Sequence, residues 1–170
     1  MNRCATGLVC FIVSLVCFRN AGGNEQAAAF ARYKDSADRG HAPSQNALGV
    51  CLDLGIGTRQ DTTEAVKWFR LAAEQSIADA QLRLGNCLLD GRGVERSEAE
   101  AAQWYMRAAE QGNADAQGRL GNCYSRGTGV KQDRSEAFAW FRRAAASGDA
   151  MAQCQMGACY AKGEGVTKDP

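Results

Sequence analysis

The apolar positions of the chain keep a helical rhythm. Between 62 and 75 they fall at Ala65, Trp68, Phe69, Ala72 and Ala73, a spacing that puts one stripe on one side of a helix. A second stripe runs through 79–89, where Ala80, Leu84 and Leu88 share a face with Cys87. Asp61-x-x-Glu64, Ser97-x-x-Glu100 and Asp133-x-x-Glu136 stand just before stripes of the first kind. Each places an oxygen at the N-cap and a carboxylate three residues on, where free N–H groups need acceptors. Asp79 and Asp115 lie at the start of the second helix, where the helix dipole favours them. Pro43 takes that place in the first copy, tolerated because a first turn needs no donor. Gly91-Arg92-Gly93 then ends the helix, since glycine accepts the left-handed backbone of a C-cap.

The helix pair recurs every 36 residues. That offset superposes Trp68, Trp104 and Trp140; Gln45, Gln81, Gln117 and Gln153; and Gly49, Gly85, Gly121 and Gly157. It also superposes the Gly-x-Gly turns at 55, 91, 127 and 163. Residues 62–97 and 98–133 agree at 19 of 36 positions without a gap, so one unit has been copied. Units near 26–61, 62–97, 98–133 and 134–169 fill the chain after its leader. The expected fold is all-α: an α/α right-handed superhelical solenoid of four helix-turn-helix repeats of 36 residues. Gly85, Ala80 and Ala72 let helix backbones approach, and the Trp and Phe/Tyr of the next unit are expected to fill the gap. A buried Trp covers about 150–250 Å², so Trp104→Ala is expected to cost roughly 3–5 kcal/mol.

Residues 1–23 read differently. A short basic start precedes Leu8–Phe18, an uncharged apolar run too short for a membrane-spanning helix and suited to a secretory h-region. Ala21-x-Gly23 offers small residues for cleavage near Gly23, so the segment reads as a signal peptide or, if retained, a membrane anchor. That implies a secreted, periplasmic or endoplasmic-reticulum lumenal protein. The thiols lean weakly the other way. Cys51, Cys87, Cys123 and Cys159 recur at the unit period, roughly 10 Å apart on stacked units and too far for disulfides. They read as small core residues.

The segment from Ala101-Ala102-Gln103-Trp104-Tyr105 to Gly127-Thr128-Gly129-Val130 carries nearly all of the pattern A-x-x-W-[FY]-x-x-A-A-x-x-G-x-A-x-A-Q-x-x-L-G-x-x-Y-x-x-G-x-G-V. It resembles the Sel-one-like repeat (SLR) family, a relative of the tetratricopeptide repeat, over essentially everything after the leader. The first copy departs from it at Arg32, Pro43 and Ile56, and the second at Ser76. The resemblance implies a non-enzymatic adaptor for other proteins. It also implies two alternatives: a secreted β-lactamase-like or penicillin-binding repeat protein, or a fragment of a larger adaptor in protein quality control. The β-lactam-binding branch pairs two cysteines within each repeat, whereas this chain has one regular cysteine per repeat.

Composition narrows the chemistry. The 20 Lys+Arg balance 19 Asp+Glu, so no global field argues for nucleic acid. His41 is the single histidine, which leaves little room for a His-based metal site or a Ser–His pair. No Ser-x-x-Lys, Cys-x-x-Cys, His-Glu-x-x-His or phosphate-binding loop occurs. No catalytic residue, metal, cofactor or small-molecule substrate is expected. Stacked helix pairs present one helix face along a concave groove, and a peptide or protein is the expected guest. On the first helices the row Lys34, Arg70, Met106 and Arg142 should be exposed. Asp35, Leu71, Arg107 and Arg143 lie beside it, and Lys67 and Gln103 form another row. Together they make a locally basic ribbon with an apolar break at Met106 and Leu71. A membrane is expected only if the leader is uncleaved. Beyond Gly163-x-Gly165 the last unit lacks a polar capping helix, so it is expected to pack on a partner or a second copy, or to continue in a longer protein.

Overall fold

The computed structural model describes residues 23–163, and the leader and the last seven residues lie outside them. Eight helices follow in chain order among the described residues. They are α1 (Gly23–Asp38), α2 (Ala42–Leu54), α3 (Thr62–Glu74), α4 (Ala78–Asp90), α5 (Glu98–Glu110), α6 (Ala114–Arg126), α7 (Arg134–Ala146) and α8 (Ala150–Lys162). Each packs on its neighbours in sequence, α2 on α3, α4 on α5 and α6 on α7 most extensively. The result is a helical repeat solenoid with a period of 36 residues.

The caps form where the sequence places them. Asp61 accepts a bond from the Glu64 N–H at 2.9 Å, Ser97 from Glu100, and Asp133 from Ser135 and Glu136. Gly55, Gly91, Gly127 and Gly163 end the second helices in left-handed backbone. The second glycine of the first three turns, Gly57, Gly93 and Gly129, has another duty. A methyl group on Gly93 would come within 2.5 Å of the Thr62 carbonyl, so the turn lies flat against the start of α3 only because that position has no side chain.

The core shows why glycine and glutamine keep the period. A methyl on Gly85 would meet the Tyr105 ring at 2.6 Å, and Gly49 and Gly121 meet Phe69 and Phe141 in the same way. Each second helix thus carries a socket for an aromatic ring of the next unit. The Phe/Tyr row fills these sockets, not the Trp row. Trp104 and Trp140 are buried nonetheless, while Trp68 is half-buried. The glutamines form a ladder. Gln45, Gln81 and Gln117 each donate to the carbonyl of Ala37, Ala73 or Ala109 at the end of the preceding helix. The oxygens of Gln45 and Gln81 accept from Gln75 and Gln111 of the next unit, both at 2.7 Å. Ser147 occupies the next position of that series, and the buried Gln117 oxygen has no partner.

Candidate functional site

The ribbon of first-helix residues is exposed in large part, but most of its charge is spent within the protein. Lys34 is exposed and pairs with Asp38 at 3.1 Å; Lys67 is exposed and pairs with Glu64 at 2.8 Å. Arg70 is half-buried and reaches Glu100 of the next unit at 2.8 Å. Arg107 and Arg143, both exposed, lie over the Trp104 and Trp140 rings, 4.5 and 4.4 Å from the centroids. Gln103 and Arg142 are exposed, and Met106 is half-buried against the core. Leu71 is 44% exposed.

Three of these residues share one hollow. Lys67, Arg70 and Leu71 line a shallow depression of about 440 Å³ with Val66, Val94 and the carboxylate-bearing Glu74. Its floor is apolar and its edge charged. The other ribbon residues line none of the described hollows.

Sequence reasoning missed the partners of this ribbon. The Glu64–Lys67 and Lys34–Asp38 pairs are legible from helical spacing of three and four. The Arg70–Glu100 pair spans two units and is not. The Glu100 carboxylate does not cap the helix as its spacing suggested: the Ser97 N–H bonds the Leu88 carbonyl, and Glu100 accepts from the Trp104 indole at 3.3 Å and from Arg70. Burial alone would raise its carboxyl, but the hydrogen bonds from Arg70 and Trp104 outweigh that and hold it below the ordinary glutamate range.

The thiols are chemically quiet. Among the described residues Cys51, Cys87 and Cys123 are buried free thiols, and Cys154 is an exposed one. Burial pushes Cys51 and Cys123 up to about 11, so both stay protonated at neutral pH. His41 is exposed in the turn before α2, its Nδ1 2.8 Å from the Ser44 hydroxyl. Among the described residues no three His, Cys, Asp or Glu side chains gather closely enough to hold a metal, and no helix is long and apolar enough to cross a membrane.

The Sel1 repeat family model matches residues 42–77, 78–113, 114–149 and 150–170. The chain belongs to the Sel1 repeat family. The family's units begin at the second helix, so they pair α2 with α3, α4 with α5 and α6 with α7. The chain is similar to a Sel1 repeat protein from Oxalobacter formigenes, at 38% identity and a TM-score of 0.79, over 84% of this chain and 57% of that one. It is also similar to c5321, a protective antigen of uropathogenic Escherichia coli with an SLR fold, at 42% identity and a TM-score of 0.81, over 84% of this chain and 31% of that one. The chain thus spans about half and a third of the length of these two Sel1 repeat relatives. Cysteine-rich protein B of Helicobacter pylori shares the fold at 20% identity and a TM-score of 0.61, over 78% of this chain and 96% of that one. The comparison with curated proteins returned no match.

Proposed function

We propose that this Sel1 repeat protein is a non-enzymatic scaffold that holds a peptide or another protein along its first-helix row, exported by its leader. The observation that carries the reading is the α3 hollow, which the exposed Leu71 lines together with Val66 and Val94 and the charged Lys67, Arg70 and Glu74. An apolar centre ringed by charge is the layout of a protein-binding patch. Arg142 and Gln103 extend the row onto neighbouring units, and among the described residues Arg142 has no ion pair to give up. Membership of a repeat family whose stacked units expose long helix faces supports the same reading.

Peptides selected against the folded chain from a displayed library supply the probe. Leu71→Asp, and Arg70→Glu with Arg142→Glu, are expected to weaken the selected peptides about tenfold with helicity unchanged. Equal binding by both variants rejects the row. Nitrocefin turnover that tracks the folded protein and disappears on a point substitution would replace the scaffold with a β-lactam-hydrolysing reading. Export is tested by N-terminal sequencing of the native protein, which is expected to begin near Asn24; a start at Met1 rejects cleavage.

A further inference from the structure

The third unit departs from the others on one face of α6. Arg119, Asn122 and Arg126 stand three and four residues apart, hence on one side of the helix. The same positions are Ala47, Val50 and Leu54 in α2, Arg83, Asn86 and Asp90 in α4, and Gln155, Ala158 and Lys162 in α8. Two arginines flanking an amide occur in α6 alone, so the repeat architecture does not require them.

Nor are they used inside the protein. Asn86 accepts the Tyr105 hydroxyl at 2.8 Å. The residue in register with Tyr105 is Phe141, which has no hydroxyl, so the half-buried Asn122 amide lacks the bond that Asn86 makes. Arg119 and Arg126 are exposed, and among the described residues they form no ion pair. Three of the four acids around them are engaged: Asp90 faces Arg92 at 3.6 Å, Glu98 pairs with Arg96 at 2.6 Å, and Asp149 caps α8, while Asp115 is exposed at the start of α6. The three α6 residues line two hollows at once, of about 520 and 560 Å³. The Phe141 ring borders the first, on the side where a hydroxyl would otherwise have closed off Asn122.

We propose that this α6 face docks an extended acidic peptide, two of its carboxylates on Arg119 and Arg126 and a main-chain amide on Asn122. The proposal rests on the reading of the protein as a peptide-binding scaffold, but places a site on a second helix, apart from the first-helix row. Seven residues of helix separate the arginines by about 10.5 Å. An extended polyproline-type segment rises about 3.1 Å per residue with three residues per turn, so acids at i and i+3 lie on one side about 9 Å apart. Guanidinium groups bind carboxylates in a planar fork, and an asparagine amide matches both the N–H and C=O of a peptide. A continuous phosphate chain fits less well, because the residue between the two arginines is the Asn122 amide, which matches a peptide unit and supplies no third cation.

The test is fluorescence anisotropy of the full chain with labelled peptides carrying Glu-Pro-Ala-Glu, Gln-Pro-Ala-Gln or Lys-Pro-Ala-Lys, whose alanine keeps an N–H for Asn122, and with a single-stranded oligonucleotide. The Glu peptide is expected to bind at least about tenfold tighter than the other two. Arg119→Gln with Arg126→Gln is expected to lose about tenfold, and Arg119→Glu with Arg126→Glu to transfer preference to the Lys peptide. Phe141→Tyr offers Asn122 a hydroxyl, so it should raise the melting temperature and weaken the Glu peptide several-fold; a purely structural Asn122 would show the first effect without the second. Arg70→Gln with Arg142→Gln is expected to bind normally. If that variant alone loses the peptide, the α6 site fails while the scaffold stands. Equal binding of the Glu and Gln peptides, an unchanged affinity in the α6 variants, or an oligonucleotide that binds tighter and displaces the peptide each overturns the proposal.

Discussion

The α4 and α8 helices carry matching residues at the positions that face the next unit, yet only one of them is covered. Leu84, Gly85, Cys87 and Gln81 of α4 are all buried. Their equivalents in α8 are half-buried or exposed: Met156 and Cys159 are partly covered, Gly157 and Gln153 lie open. The Gly85 socket holds the Tyr105 ring, while nothing stands within 4 Å of a methyl on Gly157. The difference is α5, which lies over α4; among the described residues no helix follows α8. Burial in this protein therefore belongs to the joint between units and not to a unit taken alone.

The sharpest way to break that comparison is to remove the ring at one joint. Tyr105→Ala empties a fully buried position and frees the Asn86 oxygen, and is expected to cost about 3–5 kcal/mol in urea unfolding. Tyr160, 61% exposed and edge-on to Phe138, is expected to cost under about 1 kcal/mol on the same change. Equal losses would mean that the joints are not where the stability lies. A smaller contrast comes from the sockets. Gly85→Ala drives a methyl into the Tyr105 ring and is expected to cost about 1–3 kcal/mol. Gly157→Ala meets open space in a helix and is expected to gain up to about 1 kcal/mol, so the two changes should differ in sign by thermal melting.

Weaker effects sharpen the picture at the third joint. Ser147→Gln should restore the missing rung to the orphaned Gln117 oxygen and gain about 0.5–1.5 kcal/mol, with Gln111→Ser losing a similar amount. A gain in neither chemical nor thermal unfolding would show that the ladder does not hold units together. The smallest effect is expected at Glu100, whose carboxylate joins the second and third units. Its folded value is lowered, so its contribution is complete above the unfolded glutamate value near about 4.3 and is lost as pH falls through the folded one. The difference in urea midpoint between the native chain and Glu100→Gln should therefore shrink in acid; a gap that widened there would contradict the pairing.

The caps, the period and the helix pairing were legible because each depends on residues within one turn or one unit. Asp61, Ser97 and Asp133 cap as their spacing to Glu64, Glu100 and Glu136 foretells. The recurring Gln and Gly were visible as repeats, but their purpose was not. A glutamine that bridges to a helix 30 residues away and a glycine that receives a ring 20 residues later are relations between elements. The ribbon of Lys34, Lys67, Arg70, Leu71, Gln103, Met106, Arg107, Arg142 and Arg143 was legible as a helix face. Its internal neutralisation was not, since Arg70 finds its acid only after two units stack.

The amino-acid order alone determined that this chain forms helix pairs of 36 residues belonging to one repeat family, because apolar spacing, caps and glycine stops act over a few residues. Tertiary structure decided which of those repeated residues are buried, which charges are cancelled and which are left free. It assigned Tyr105 to Asn86 and set Phe141 where Asn122 would meet a hydroxyl, a distinction of a single hydroxyl that acquires meaning only when one unit lies against the next. Local free energies select the helices, whereas desolvation and pairing are settled at contacts that no single unit contains.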